Sequence, residues 1–239
     1  MIGLGTIINV ALIIFGGLCG LLFKKLLNEN LQKALLTATG VAVIFLGIGG
    51  VLEKMITIED GKLSAGGTAM MIVSMAIGAL VGEIINIEGG IEKFGEWLKK
   101  KSKSDSDSNF ISSFVTASCT VCIGAMAIIG AFEDALHHDY SILLAKGILD
   151  AIFIAIMSAS KGKGCIFSAI SVAIFQGLFT VLALIIGPFM SMSALDNLSF
   201  VGSILIFCIG LNFLRDKKIK VANLLPAILI AVLWSFIPV

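Results

Sequence analysis

Eight continuous apolar runs constrain this chain more than anything else in it: residues 4–23, 34–52, 68–87, 110–132, 141–160, 165–190, 198–214 and 221–237. Each comes close to the roughly 20 apolar residues needed to cross about 30 Å of hydrocarbon. The runs are unbroken rather than alternating, which excludes a closed β-barrel, and with no water to bond the backbone only helices remain. The expected fold is an all-α polytopic transmembrane bundle of about eight spans forming a single membrane domain over residues 1–239. Composition agrees: 239 residues, 58% hydrophobic and 14% charged, with a mean hydropathy of +1.06, carry more apolar surface than one soluble core could hide. A soluble enzyme and a nucleic-acid partner are both unexpected; the lipid bilayer is the expected partner.

The first run has no basic leader and ends in Lys24-Lys25 instead of a small-residue cleavage site, so it is expected to remain as a span and not to be removed as a signal peptide.

Net charge is only +1, but the basic residues are strongly segregated. With loops placed alternately on two sides, one side receives Lys24, Lys25, Lys33, Lys93, Lys99, Lys100, Lys101, Lys103, Lys161, Lys163, Arg215, Lys217, Lys218 and Lys220. The other receives only Lys54 and Lys62, and Lys146 falls inside a span. Positive charge gathers in the cytoplasm, so the chain is expected in the inner (plasma) membrane with both termini outside. The segregation supports eight crossings, while the Gly-rich stretch 124–130 and the region around Gly187-Pro188 are the places where a span could be broken or re-entrant.

Residues 90–109 form the largest expected cytoplasmic feature. Ile91, Phe94, Trp97 and Leu98 recur at helical spacing against Lys93, Lys99, Lys100 and Lys101, the pattern of a helix lying at the membrane surface. The polar stretch 103–109 reads as a tether with nothing to bury.

Several motifs together resemble one bacterial membrane family. They are Gly5-Thr6-Ile7-Ile8-Asn9 in the first span, Met126-Ala127-Ile128-Ile129-Gly130 in the fourth, Lys146 with Asp150 in the fifth, and Asn223-Leu224-Leu225-Pro226-Ala227 opening the eighth. The chain resembles, along essentially its whole length, the uncharacterised multi-pass family catalogued as domain of unknown function 554. The family pattern has proline where Ala125 stands and glycine where Ala135 and Ala151 stand. The resemblance implies an inner-membrane protein grouped loosely with transport proteins, and no particular substrate.

Residues 40–49 and 202–210 are similar Gly-rich segments with a central phenylalanine, in spans running in opposite directions. Spans one to three and six to eight could therefore be inverted three-helix repeats around a middle pair, an arrangement that places transporter sites near the midplane.

An ionisable group within a span costs about 2.5–3.5 kcal/mol on insertion scales and usually faces the bundle interior. Lys146 and Asp150, four residues apart in span five, share one helix face, with Asp150 roughly 13 Å from the outer end of the span. They read either as an ion- or proton-coupling pair or as a buried pair that fixes helix orientation. Asn9, Gln176 and Asn212 each carry an amide into hydrocarbon, where an interhelical hydrogen bond is the ordinary role and a solute contact the functional one. Glu83 and Asn86 sit near the cytoplasmic end of span three. Gly16 and Gly20 read as packing positions, as do Gly47, Gly49 and Gly50. Thr116, Ser118 and Thr120 with Gly124 could mark an unwound segment whose carbonyls hold a cation.

Other chemistries find little support. Glu133, Asp134, His137, His138 and Asp139 could ligate a metal but suit a short polar outward loop better. Cys119 and Cys122 form C-x-x-C in a membrane helix, where packing thiols are expected. No catalytic residue, cofactor or resident metal is expected, and no phosphate-binding G-x-x-x-x-G-K-[ST] occurs. The reading is a secondary transporter or exporter of a small solute or ion, with Asp150 and Lys146 in the central path and Asn9, Asn212 and Gln176 beside it. A passive channel and a non-transporting scaffold or sensor partner, with residues 90–101 as contact surface, stand as alternatives. Gly-rich faces leave room for a homodimer.

Overall fold

The computed structural model describes residues 2–25, 28–59, 62–90, 93, 108–122, 125–215 and 219–237. The expected interfacial helix and tether at 90–109 lie almost wholly outside these residues. The helices are α1 (Leu4–Leu22), α2 (Glu29–Met55), α3 (Thr68–Ile85), α4 (Ser108–Cys122), α5 (Ala125–Leu136), α6 (Ser141–Lys161), α7 (Ser168–Ile186), α8 (Met192–Leu214) and α9 (Pro226–Trp234). Short 3-10 turns flank α7 and precede α9.

Six of the expected spans appear as helices long and apolar enough to cross a membrane: Leu4–Leu22, Glu29–Met55, Thr68–Gly90, Ser141–Lys161, Lys163–Phe189 and Met192–Leu214. The other two take different forms. Span four is split into α4 and α5, bent by 59° between Ser113–Cys122 and Met126–Leu136, inside the Gly-rich stretch where a break was expected. The last run forms the shorter apolar helix Val221–Trp234, beginning as a 3-10 turn and entering α9 at Pro226, whose missing N–H is harmless in a first turn. Between α2 and α3 a two-stranded antiparallel hairpin pairs Ile56 with Ala65 and Thr57 with Ser64, an element the apolar-run pattern did not anticipate.

The chain divides into two compact units. Unit one holds residues 1–37 and 89–187, hence α1 and α4–α7; unit two holds residues 38–88 and 188–239, hence most of α2, the hairpin, α3, α8 and α9.

In unit one, α1 and α6 run parallel and very close. A Cβ added at Gly16 would collide with the Ala151 backbone, and one at Gly20 with the Ala155 backbone, so these glycines exist to admit the neighbouring main chain. Toward the other end, Gly5 abuts Leu143, and Gly147 abuts Leu12 and the Asn9 Cα. The buried face of α1 (Thr6, Asn9, Ile13, Gly16, Gly17 and Gly20) repeats at helical spacing. An apolar cluster of Ile13, Ala117, Val121, Ile154, Cys165, Ala169 and Val172 joins α1, α4, α6 and α7.

In unit two, α2 and α8 pack antiparallel. Gly40 lies against Phe213 and the Gly210 carbonyl, and Gly210 lies against Ile44 and the Gly40 carbonyl, so the two similar Gly-rich segments meet face to face. Helices α3 and α9 also run antiparallel, Gly78 against Ala227 and Gly82 against the Asn223 carbonyl. The outward faces are apolar: Phe15, Leu22, Phe45, Ile84, Ile174, Leu178, Leu229 and Leu233 are all exposed, as lipid-facing residues must be.

Candidate functional site

The buried charged pair lies at the centre of unit one. Asp150 sits nine residues into α6, which at 1.5 Å per residue is about 13 Å from the helix start. The helical spacing stacks Lys146 one turn away on the same face, and Lys146 Nζ donates to Asp150 Oδ2 at 2.5 Å. Both side chains are buried, at 5% and 2% exposure. From α1, Asn9 Nδ2 donates to the same carboxylate oxygen at 3.1 Å, an approach that Gly147 permits by having no side chain against Asn9.

Lys146 makes a second bond. Its ammonium donates to the Val121 carbonyl at 2.7 Å, in the last turn of α4. In an unbroken helix that carbonyl would accept the amide four residues on; a bend as large as 59° disrupts this ladder, and a free carbonyl in a membrane interior needs a donor. The charged pair is thus tied to the end of α4, next to the bend.

Gln176 belongs to the same unit, on α7, 1% exposed, with neither amide atom hydrogen-bonded. Helices α4 and α7 run parallel in a steady register, since Cys165 Sγ bonds the Ser113 carbonyl and the Ser118 and Ser171 hydroxyls meet at 2.9 Å. Continuing that register brings Gln176 level with the bend. Asn9, Lys146, Asp150 and Gln176 thus share unit one and one level of it.

Asn212 belongs to unit two. Its amide clips the backbone of Ile219, donating to the carbonyl at 2.8 Å and accepting from the amide at 2.7 Å. Glu83, read as a gate or a solvated end, is part of a clasp: Asn223 Nδ2 donates to Glu83 Oε1 at 3.0 Å, Lys220 Nζ to Glu83 Oε2 at 3.2 Å, and the Glu88 amide to Asn223 Oδ1 at 2.8 Å. Thr116, Ser118 and Thr120 do not converge: Thr120 returns its hydroxyl to the Thr116 carbonyl, whereas Ser118 turns to Ser171.

Glu133 and Asp134 depart from the reading of 133–139 as a loop, while His137, His138 and Asp139 do follow the helix as loop. Helix α5 continues through Leu136, which carries Glu133 and Asp134 inside the fold at 8% and 1% exposure. Asp134 Oδ2 accepts the Gly5 amide at 3.0 Å, capping an α1 N-terminus that has no cap of its own and placing negative charge at the favourable end of the helix dipole. Glu133 pairs with His137 at 2.5 Å. Among the described residues no three His, Cys, Asp or Glu side chains gather as a metal set. Cys122 and Cys165 are free thiols; the side chain of Cys119 lies outside the described residues.

These features define a class: a multi-pass helical membrane protein with a buried ion pair at the centre of one unit. The chain belongs to the family described as protein of unknown function (DUF554), which matches residues 4–236. It is 35% identical over 233 residues to the uncharacterized membrane protein YdfK of Bacillus subtilis (strain 168), covering 98% of this chain and 96% of that protein. It is 28% identical over 232 residues to the uncharacterized protein YqgA of Escherichia coli (strain K12), covering 95% and 94%. No solved structure matches it.

Proposed function

We propose that this protein is a secondary transporter or exporter of a small solute or ion, lying in the inner membrane with both termini outside, and that Asp150 and Lys146 are its coupling pair. One observation carries the reading: a nearly inaccessible lysine donates both to an equally buried aspartate and to a carbonyl at a bent helix. The Lys146 ammonium is tied to the end of α4 as well as to Asp150. Removing Lys146 from Asp150, by protonation of the carboxylate or by a cation taking its place, would also release Val121, so occupancy of the site would be linked to the angle between α4 and α5. The apolar cluster beside the pair favours an occluded site over an open channel.

The test is uptake by purified protein in liposomes, screening small anions, amino acids and cations with and without a proton or sodium gradient. Saturable, gradient-dependent uptake of any one of them supports coupled transport. Passive, non-saturating leak would instead indicate a channel, and silence across the panel from folded protein would return the scaffold reading.

A further inference from the structure

The polar groups of unit one are distributed unevenly about Asp150. Call the two ends the histidine end, where α5 finishes and α6 begins at His137–Ser141, and the lysine end, where α6 finishes at Lys161. On α1, Asn9 and Thr6 lie toward the histidine end and Ile13 one turn the other way. On α6, Lys146 lies toward the histidine end and Ile154 one turn beyond Asp150. On α7, Gln176 and Thr180 lie toward the histidine end and Val172 beyond. On the α4–α5 pair, Asp134 lies toward the histidine end and Ala117 beyond. Four elements change character at the same level: Ile13, Ala117, Ile154 and Val172 all belong to the apolar cluster.

Beyond that cluster, the buried polar side chains among the described residues of this unit are the hydroxyls of Ser113, Ser158 and Ser168, of which Ser158 Oγ has no partner; the described buried carboxylates, amides and lysine all lie on the histidine side. Three buried atoms on the histidine side follow one another along α1 and its cap: Asp134 Oδ1, Thr6 Oγ1 and Asn9 Oδ1, none with a hydrogen-bond partner. Asp134 is held at the first turn of α1 by Gly5, and Thr6 and Asn9 are three residues apart on the same buried face, about 4.5 Å along the axis. A buried oxygen without a partner is costly, and water or a cation removes that cost. All three can accept, and one carries formal negative charge.

We infer that unit one contains a one-sided access path for water and small cations, running from the histidine end past Asp134, Thr6 and Asn9 to Asp150 and closed beyond it by the Ile13–Ala117–Ile154–Val172 plug. It deepens the transport reading and rests on it, giving the site a cationic coupling species and a direction of approach. Asp134, buried just inside the histidine end, selects for positive charge, Thr6 and Asn9 relay it to the carboxylate that Asp150 shares with Lys146, and the plug keeps the site from opening to both ends at once.

The path can be tested without knowing any substrate. Single cysteines are placed at Thr6 and at Ala131, one turn inside Asp134, and at Ile154 behind the plug, in the full-length purified chain with its five native cysteines replaced. Each is reacted with a cationic and an anionic methanethiosulfonate of similar size. Positions 6 and 131 are expected to react, the cationic reagent faster by roughly tenfold, as a cleft lined by one sign of charge produces. Adding Asp134→Asn should erase that preference, and position 154 should stay protected. Equal protection at 6, 131 and 154, or equal rates for the two reagents, would overturn the path. Loss of uptake in Asp150→Asn bears only on the transport reading, so the two can fail separately.

Discussion

The two units handle polarity in opposite ways. Unit one carries a lysine, an aspartate and two amides into its middle, where each is expensive. Unit two keeps its charged groups at helix ends: Lys54 reaches Asp196 at 3.0 Å beside the hairpin, and Glu83 and Lys220 meet where α3 finishes and α9 begins. Among the described residues of unit two the buried polar side chains are Ser74, Ser199, Ser203 and Asn223, and Ser203 simply returns its hydroxyl to the Ser199 carbonyl. Charge at an end anchors a helix at little cost. Charge at the centre demands partners, and in unit one those partners are supplied from two other helices, Asn9 on α1 and the Val121 carbonyl on α4. The contrast makes unit two the more conventional helix pack.

The largest effect should come from separating the central pair. Lys146→Met leaves Asp150 buried without its cation and Val121 without its donor, and breaking a buried pair from one side costs about 3–5 kcal/mol. Thermal unfolding of the purified protein should register a large loss, and a variant as stable as the parent would break the comparison. Next, Gly16→Leu drives a side chain into the Ala151 backbone, which should cost at least the 1–3 kcal/mol typical of overpacking and reduce membrane abundance.

In unit two, Asn223→Ala removes the hub of the clasp, with its bonds to Glu83 and to the Glu88 amide, for roughly 1–3 kcal/mol in the same unfolding assay, with transport retained in whatever protein folds. The smallest change is opposite in sign. Gln176→Leu replaces an unpartnered buried amide by an apolar group, so stability should rise by about 1 kcal/mol while uptake falls. A stabilised variant with full uptake would remove Gln176 from the site.

Much of this contrast is legible in the sequence because a charge in an apolar run stands out. Lys146, Asp150, Asn9 and Gln176 are visible that way, and the four-residue spacing alone puts the first two on one face. What joins them is not visible. Asn9 and Asp150 are 141 residues apart, and Val121 contributes a main-chain carbonyl that no side-chain pattern announces. Asp134 is hidden for another reason: among Glu133, His137, His138 and Asp139 it looks like loop polarity, and only the extra turn of α5 turns it inward. The hairpin did leave a signal. Ile56-Thr57-Ile58 is rich in β-branched residues, and Asp60-Gly61 is a common hairpin turn pair, but a search for long apolar runs passes over both. Asn212 shows the converse, since an amide inside a span serves here to clip the backbone that follows it.

The most direct test of the central pair compares Asp150→Asn with Asn223→Ala, both reconstituted at equal amounts of folded protein, using the solute that the wild-type protein takes up. The account predicts that gradient-driven uptake disappears with Asp150→Asn and persists with Asn223→Ala. Unchanged uptake with Asp150→Asn would contradict it.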